Sequence, residues 1–441
     1  MAVDVNGLVD AERGLVSRRI FADNEIYEQE QEQIFARCWL FLGLESQIAR
    51  PGDFITTYIG EDGVIVCRDA HGQIRGLLNS CRHRGNRVCR LDQGRVNSFM
   101  CTYHGWTYDL TGKLVGVPGL NLRYTSDFDR DHWSLVPVAQ IDTYKGLIFG
   151  TFDPEAPPLD EYLGDIRWGM DILLDSREGG TEVVGGIFKW IINCNWKFAA
   201  DNFIGDNYHG GVTHKSAMIV GHRTENRQVE SRTPMLTYEQ DRPGFTIATH
   251  YGHGFNAPLG TQPGDGHEST PEPLRSYYRA TAAETQRRLG TLRARDIPRI
   301  NCGIFPNLSL SSSSGMLHVW HPKGPMQTEV WLYTLVDKDV PPEVKNAFRL
   351  SSQRHFSPTG MFEQDDGENW EQSTLACRGA VGRRYPLNYQ QGIGLERIVE
   401  DESAPPRVLG VANEHNQRVF YQRWAEMISG KSWNELRPQN A

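Results

Sequence analysis

The residues best suited to chemistry are two Cys/His pairs, Cys81-Arg82-His83 and, after seventeen intervening residues, Cys101-Thr102-Tyr103-His104. Thiolate and imidazole are both ligands for borderline-soft metals, and two of each can enclose one centre. A two-iron cluster with cysteines on one iron and histidines on the other requires the same set. One residue separates the first pair, so both side chains leave a tight loop, and Gly85 and Gly105 suit the turns. A Cys2His2 zinc site is the competing reading. Its histidines normally lie about three to five residues apart on one helix, whereas here each His accompanies a Cys.

A second constellation lies further along. Asn202, Asp206 and His209 recur at spacings of four and three, which a helix would bring to one face. His214 follows beyond Gly210-Gly211, which would distort that helix and let it swing back. Non-haem ferrous iron that activates O2 is typically held by two histidines and one carboxylate, with the opposite positions open. The stretch Phe362-Glu363-Gln364-Asp365-Asp366-Gly367-Glu368 offers the carboxylate. Taken alone, such an acidic run reads as solvated surface, although Phe356, Met361 and Phe362 lead it toward a core. His222, His250, His253, His318 and His321 show no ligand spacing and read as satisfied structural or surface histidines.

The elements that must position these groups follow from periodicity. Residues 24–40 predict an amphipathic helix. Strands are expected at Phe54–Ile59 and Val64–Cys67 across the turn Gly60-Glu61-Asp62-Gly63, and short strands continue to a last one at Tyr144–Phe152. The Pro-rich break Asp153-Pro154-Glu155-Ala156-Pro157-Pro158 marks a domain boundary. Beyond it, strands are expected at Val184–Asn193, Asn307–Ser312, Met316–His321 and Glu329–Asp337, and helices at Trp196–Tyr208, Pro273–Arg295, Pro342–Phe356 and Asn416–Ser429. Residues 252–272, rich in Gly and Pro, read as a long loop without regular structure, either a lid over a pocket or a surface linker. Strands at hairpin distance with interspersed helices make an α+β domain on an antiparallel sheet.

A chain of 441 residues should carry two domains, and 39% hydrophobic with 10% aromatic content is ample for packed cores. The net charge of −9 argues against nucleic acid or an anionic membrane as partner. No run is apolar enough to span a bilayer, and the polar start is no signal peptide. Eight cysteines do not suggest a disulfide scaffold: two belong to the paired motifs, and the six scattered ones read mostly as buried thiols in a reducing cytoplasm.

The first motif resembles the Rieske motif, Cys-x-His then Cys-x-x-His, continuing into Gly105-Trp106-Thr107-Tyr108-Asp109. Together with Asp201-Asn202-Phe203-Ile204-Gly205-Asp206-Asn207-Tyr208-His209 and His214, and the block from Phe362 to Asn369, it resembles the α subunit of Rieske non-haem iron aromatic-ring-hydroxylating dioxygenases over essentially the whole chain. The resemblance implies an N-terminal helical segment (1–38) packing on the catalytic domain, a small all-β Rieske [2Fe-2S] domain (39–155), and a helix-grip-like catalytic domain (156–441). It implies that Cys81 and Cys101 bind one cluster iron and His83 and His104 the other. It assigns the mononuclear iron to His209, His214 and Asp366, with Asp365 the alternative carboxylate. Asp206 matches the residue that links a cluster histidine of one subunit to an iron histidine of its neighbour, and Asn202, Phe203, Phe356 and Phe362 fall where the family lines its substrate pocket.

The implied reaction inserts both atoms of O2 into an aromatic ring to give a cis-dihydrodiol. Electrons come from NADH or NADPH through a reductase and a ferredoxin, then through the cluster to Fe(II). The intersubunit link implies a homotrimer, alone or with small β subunits. Phenylalanines in the pocket suit a neutral aromatic. Arg223 and Arg227, shortly after the iron histidines, could still reach a carboxylated one. A monooxygenase or demethylase using the same iron is the nearest rival, and an electron-carrier Rieske protein or a zinc-binding structural protein a remote one.

Overall fold

The computed structural model describes residues 5, 7–217, 243–260, 271–297, 300–312 and 315–438. They fall into two compact units, Phe35–Leu159 and a larger one made of Met1–Ile34 with Asp160–Ala441. Helix α1 (Asn24–Glu30) starts where the Asp23 side chain accepts the Glu25 N–H. It is shorter than its pattern predicted. A π-type turn, Gln31–Phe35, ends it, and the run from Leu40 becomes strand β1 (Leu40–Leu44), buried at every residue. A continuous apolar run fits a buried strand as well as a helix, and here the strand wins.

The smaller unit is built mainly of short antiparallel strands. A four-stranded sheet in the order β4-β3-β2-β5 comprises β2 (Asp53–Ile59), β3 (Asp62–Arg68), β4 (Ile74–Leu78) and β5 (Gln93–Arg95). A three-stranded sheet, β8-β7-β6, comprises β6 (Ser98–Met100), β7 (Thr107–Asp109) and β8 (Leu114–Gly116). A third sheet joins β1 to β9 (Gln140–Tyr144) and β10 (Leu147–Thr151). The strand expected at 144–152 is thus the second arm of a hairpin that turns at Lys145-Gly146, both at positive φ, as tight hairpin turns require.

The larger unit carries one ten-stranded antiparallel sheet. Its members are β11 (Thr181–Val183), β12 (Phe188–Ile192), β13 (Gly244–Ala248), β14 (Gly254–Pro258), β15 (Asn301–Ile304), β16 (Leu308–Ser311), β17 (Met316–Pro322), β18 (Thr328–Asp337), β19 (Ile398–Asp401) and β20 (Ala404–Leu409). The order is β11-β18-β17-β16-β15-β14-β13-β20-β19, with β12 also on β18. Helix α2 (Trp196–Phe203) packs on β15, β16 and β17, and α4 (Pro342–Phe356) on β18. Helix α6 (His415–Ile428) covers β13 and β14, burying Phe420, Trp424, Met427 and Ile428. Helix α3 (Glu272–Thr291) packs on α4, and α5 (Met361–Cys377) runs beside α4 and α2.

Strand β14 corrects the reading of 252–272 as loop. Its five residues are all buried between β13 and β15. The flanking glycines suggested a loop, yet Gly254 lies where a Cβ would come 3.0 Å from the Asn416 side chain, so the close approach of α6 needs glycine inside the strand. Residues 261–270, the rest of the expected lid, lie outside the described residues.

The N-terminal segment is locked to this unit by one buried carboxylate. Glu30, fully buried on α1, accepts Lys197 Nζ at 2.5 Å and Trp424 Nε1 at 2.7 Å on one oxygen, and Trp196 Nε1 at 2.9 Å on the other. A buried pair of this kind is costly to break from one side, because the remaining charge is left without compensation. Glu30→Ala should therefore destabilise the larger unit by about 3–5 kcal/mol, read as a fall in its thermal unfolding midpoint. The double change Glu30→Leu/Lys197→Met should lose less than the two single losses combined.

Candidate metal centres and active site

The two Cys/His loops are built on one plan. In each, a glycine four residues after the cysteine returns its N–H to the cysteine carbonyl: Gly85 to Cys81 at 2.8 Å and Gly105 to Cys101 at 2.9 Å. Both glycines sit at φ near +73, where a side chain would be strained (72° and 74°). The His occupies the third residue of one turn and the fourth of the other, which accounts for Cys-x-His beside Cys-x-x-His. Cys81 and Cys101 are buried, and the His83 and His104 rings approach to 4.4 Å between centroids.

The surroundings of this group suit a cluster. The Tyr108 hydroxyl lies 3.3 Å from Cys81 Sγ, and the Asn86 amide donates to Cys101 Sγ at 3.5 Å. Burial raises the Cys101 thiol, but the Asn86 amide and the Tyr103 and His104 N–H groups bring it below its ordinary value. His83 stacks on buried Trp106 at 4.9 Å, and burial, then His104, holds its pKa down. Its Nδ1 is buried without a hydrogen-bond partner among the described residues. Burial raises the Cys81 thiol, so only Cys101 is drawn toward thiolate; with a neutral imidazole whose buried nitrogen is unpartnered among the described residues, the four side chains fit the Cys2His2 set of a Rieske cluster.

The second site departs from its expected scaffold. Helix α2 ends at Phe203 rather than continuing to Tyr208, so Asn202, Asp206 and His209 do not share one helical face. Asp206 takes over the local backbone: its Oδ1 accepts the N–H groups of Tyr208 at 2.9 Å and His209 at 3.2 Å, a side-chain turn that competes with helix. His209 and His214 then flank a one-turn helix, Gly210–Thr213. This returns His214 Nε2 to 3.2 Å from His209 Nε2.

The carboxylate arrives on α5. Its buried residues Glu363, Asp366, Trp370, Thr374 and Cys377 form one stripe, so an acidic run that suggested surface instead sends two carboxylates inward. Thr374 Oγ1 accepts the Asn195 N–H at 2.9 Å, tying α5 to the residue that caps α2. Asp366 Oδ1 lies 3.5 Å from His209 Nε2 and 3.4 Å from His214 Nε2. Ligand atoms about 2.1 Å from a common ion, at angles of about 90–110°, lie about 3.0–3.4 Å apart. At 3.2, 3.4 and 3.5 Å, these three atoms lie within or just beyond that spacing.

The charges point the same way. Burial pushes the Asp366 carboxyl up to about 8, with His209 opposing and Glu363, Asp206 and Asp365 adding to the rise. A cation at this point removes that penalty. Each imidazole also has a carboxylate behind it: His209 Nδ1 lies 3.2 Å from Asp206 Oδ2, and His214 Nδ1 lies 3.4 Å from Asp365 Oδ2. Burial lowers His209, but Asp206 and then Asp366 together more than offset it and leave the pKa raised. Such partners fix which ring nitrogen faces a metal. Asp365 therefore stands behind His214, while Asp366 faces both Nε2 atoms. Adjacent helical residues point about 100° apart, which separates the two acids that the sequence left as alternatives.

Of the pocket residues, Phe203, Phe356 and Phe362 come together, with centroids 6.4 Å (Phe203–Phe356) and 5.6 Å (Phe356–Phe362) apart, and Phe362 lies 4.7 Å from His214. Asn202 is partly buried and its carbonyl accepts the Asp206 N–H at 3.1 Å. Arg223, Arg227 and His222 lie outside the described residues. His253 is structural: it donates to the Tyr162 carbonyl at 2.7 Å and accepts the Phe305 N–H at 2.9 Å. His250 bonds to the Leu436 carbonyl, and His321 is buried against Trp331. His318 and Glu363, buried and facing each other at 3.4 Å, are a pair that no spacing singled out.

Comparison with known proteins agrees over the full chain. Residues 38–127 match the Rieske [2Fe-2S] domain, and 159–430 match the ring hydroxylating alpha subunit (catalytic domain). The biphenyl dioxygenase subunit alpha of Paraburkholderia xenovorans (strain LB400) is 40% identical over 445 residues, covering 98% of this chain and 95% of the relative. The large oxygenase component of the naphthalene 1,2-dioxygenase system of Pseudomonas putida is 34% identical over 98% of this chain and 95% of its own length. The structure of naphthalene 1,2-dioxygenase with indole bound in the active site superposes with a TM-score of 0.88 at 33% identity, covering 98% of this chain and 97% of that one. A quaternary ammonium Rieske monooxygenase, at 17% identity and a TM-score of 0.69, shares the fold alone.

The class these features define is the large subunit of a Rieske oxygenase. More particularly, the chain belongs to the α subunits of the aromatic-ring-hydroxylating dioxygenases, oxidoreductases that use an iron–sulfur cluster and non-haem iron. The naphthalene relative is the large oxygenase component of a dioxygenase system of several components. No helix among the described residues is long and apolar enough to cross a membrane. No disulfide links any of the eight cysteines.

The geometry separates the two neighbouring acids by experiment. Asp366→Ala should remove the mononuclear iron while the cluster absorbance stays. Asp365→Asn should keep the site but weaken iron binding by about 10–100-fold. Metal analysis after dialysis against graded chelator distinguishes them.

Proposed function

We propose that this chain is the terminal oxygenase subunit that dihydroxylates a neutral aromatic ring, giving a cis-dihydrodiol with both oxygens from O2. The observation that carries this is the His209, His214 and Asp366 cluster beside Phe203, Phe356 and Phe362. When bound, the cluster at Cys81, His83, Cys101 and His104 and the iron at that triad supply the electrons and the position at which O2 is reduced. The chain's own side chains do the rest. The three phenylalanines offer ring faces and apolar area, which favour an arene over water. Asp206 and Asp365 hold the imidazoles in orientation from their outer nitrogens.

Electrons come from NADH or NADPH through a reductase and a ferredoxin. The assembly is a homotrimer, alone or with small β subunits, and the compartment is the cytoplasm. Asp206 is the link from the iron histidine of one subunit to the cluster histidine of the next. Its partial exposure supports this, with Tyr208 and Val212 exposed beside it. On the Rieske side, Tyr103 is exposed against the His104 ring at 3.8 Å.

Two experiments test these readings. Anaerobic reduction followed by a single turnover with 18O2 and a panel of neutral arenes should place two labelled oxygens on the ring. One labelled oxygen, or loss of a methyl group, would move the enzyme to monooxygenation. Asp206→Ala, supplied with ferrous iron in excess so that both metal sites are filled, should leave the reduced cluster unoxidised when O2 and arene are added. Normal turnover by this variant would remove Asp206 from the electron path.

A further inference from the structure

Behind the phenylalanine wall lies a polar pair that the metal ligands do not use. His318 on β17 and Glu363 on α5 are fully or nearly fully buried, 0% and 2% exposed. Their closest approach is 3.4 Å, from His318 Nε2 to Glu363 Oε2. Neither carboxylate oxygen and neither ring nitrogen has a hydrogen-bond partner among the described residues. A buried polar group left unsatisfied costs about 1–3 kcal/mol, more when charged, and is normally matched by a partner that enters from elsewhere. Two such groups facing each other make an unmet demand for a donor and an acceptor at one point.

The surroundings connect that point to the pocket. The His318 ring lies 5.1 Å from Phe203 and 6.1 Å from Phe356, and it stacks flat on Trp320 at 4.9 Å. Glu363 follows Phe362 directly and precedes Asp366 by three residues on the same buried stripe, about 4.5 Å along the helix axis. The pair thus borders Phe203 and Phe356, and Phe356 in turn adjoins Phe362, the ring that lies against His214.

We propose that His318 and Glu363 form the polar end of the substrate pocket and bind a hydrogen-bond-donating substituent, a hydroxyl or amino group, on the aromatic ring. This rests on the reading that Phe203, Phe356 and Phe362 line that pocket. A carboxylate only accepts, so the substituent must donate to it, and the imidazole can supply or receive the second bond. A site built to pair with such a group discriminates against the arene that lacks it, because the pair is then left unsatisfied.

The test is equilibrium binding, measured calorimetrically on the anaerobic holoprotein with an oxidised cluster and again after chelation of the mononuclear iron. The ligands are biphenyl and its 2-, 3- and 4-hydroxy derivatives. At least one hydroxy isomer should bind about tenfold more tightly than biphenyl, with or without the iron. Glu363→Leu should abolish that preference, while Glu363→Gln, which keeps an acceptor oxygen, should retain part of it. Equal binding of biphenyl and every hydroxy isomer by the unmodified protein overturns the proposal without recourse to a variant. Survival of the preference in both Glu363→Leu and His318→Phe also overturns it. Failure of every arene to bind, together with no dihydrodiol in turnover, overturns the pocket reading itself and the proposal with it.

Discussion

The larger unit depends on holding three atoms that could bind a metal, two imidazole nitrogens and a carboxylate oxygen, within 3.5 Å of one another. Nothing in such a group is self-stabilising, since burial, with three other carboxylates nearby, drives the Asp366 carboxylate toward its neutral form. The surrounding structure must therefore impose the arrangement. It does so by fixing two helices that meet at the site. Helix α2 is anchored at its start by the Glu30, Lys197, Trp196 and Trp424 network and by its Asn195 cap. The Asp201 carboxylate on the same helix accepts the hydroxyls of Tyr421 at 2.5 Å and Tyr389 at 2.8 Å. Helix α5 is tied to the same cap through Thr374. The carboxylate and the histidines are thereby referred to one origin, although they lie far apart in sequence.

The smaller unit solves the corresponding problem with loops instead of helices. Each cysteine opens a turn that a left-handed glycine closes back onto that cysteine's carbonyl, so both ligand pairs are presented by nearly the same backbone. Repeating one turn is an economical way to face two pairs toward one point, since a single backbone solution serves twice. The difference of one residue in His position then changes only where each imidazole leaves the turn. Tyr108 and Asn86 reach the two sulfurs from the protein side, which is where hydrogen bonds tune a cluster.

How much of this was legible in the sequence depends on the range of the signal. The ligand types and the helix Pro342–Phe356 were readable because they rest on local spacing and local periodicity. The strand Gly254–Pro258 was not. Its glycine and proline spoke for a loop, and only the approach of Asn416 from α6 explains why glycine is needed there. The end of α2 at Phe203 was also hidden, because a helical period through Asp206 and His209 looked continuous. What stops the helix is the Asp206 side chain bonding to the next turn's N–H groups, a local competitor that spacing does not reveal. The same periodicity suggested a shared face, whereas the histidines are brought together by a one-turn helix.

Helix α5 shows most directly how environment rather than composition assigns a role. Glu363, Asp365 and Asp366 lie within four residues and are chemically almost equivalent. The angle between successive side chains separates them. Asp366 faces the two Nε2 atoms and completes the triad. Asp365, one residue back and partly exposed, faces the outer nitrogen of His214. Glu363, a turn earlier on the buried stripe, meets His318 among aromatic rings. An acidic run that composition alone would leave in solvent thus becomes three distinct sites. The sheet decides which acids are buried, because Trp370 on the same stripe packs against Trp320 of β17 at 5.5 Å and sets the helix's rotation about its axis.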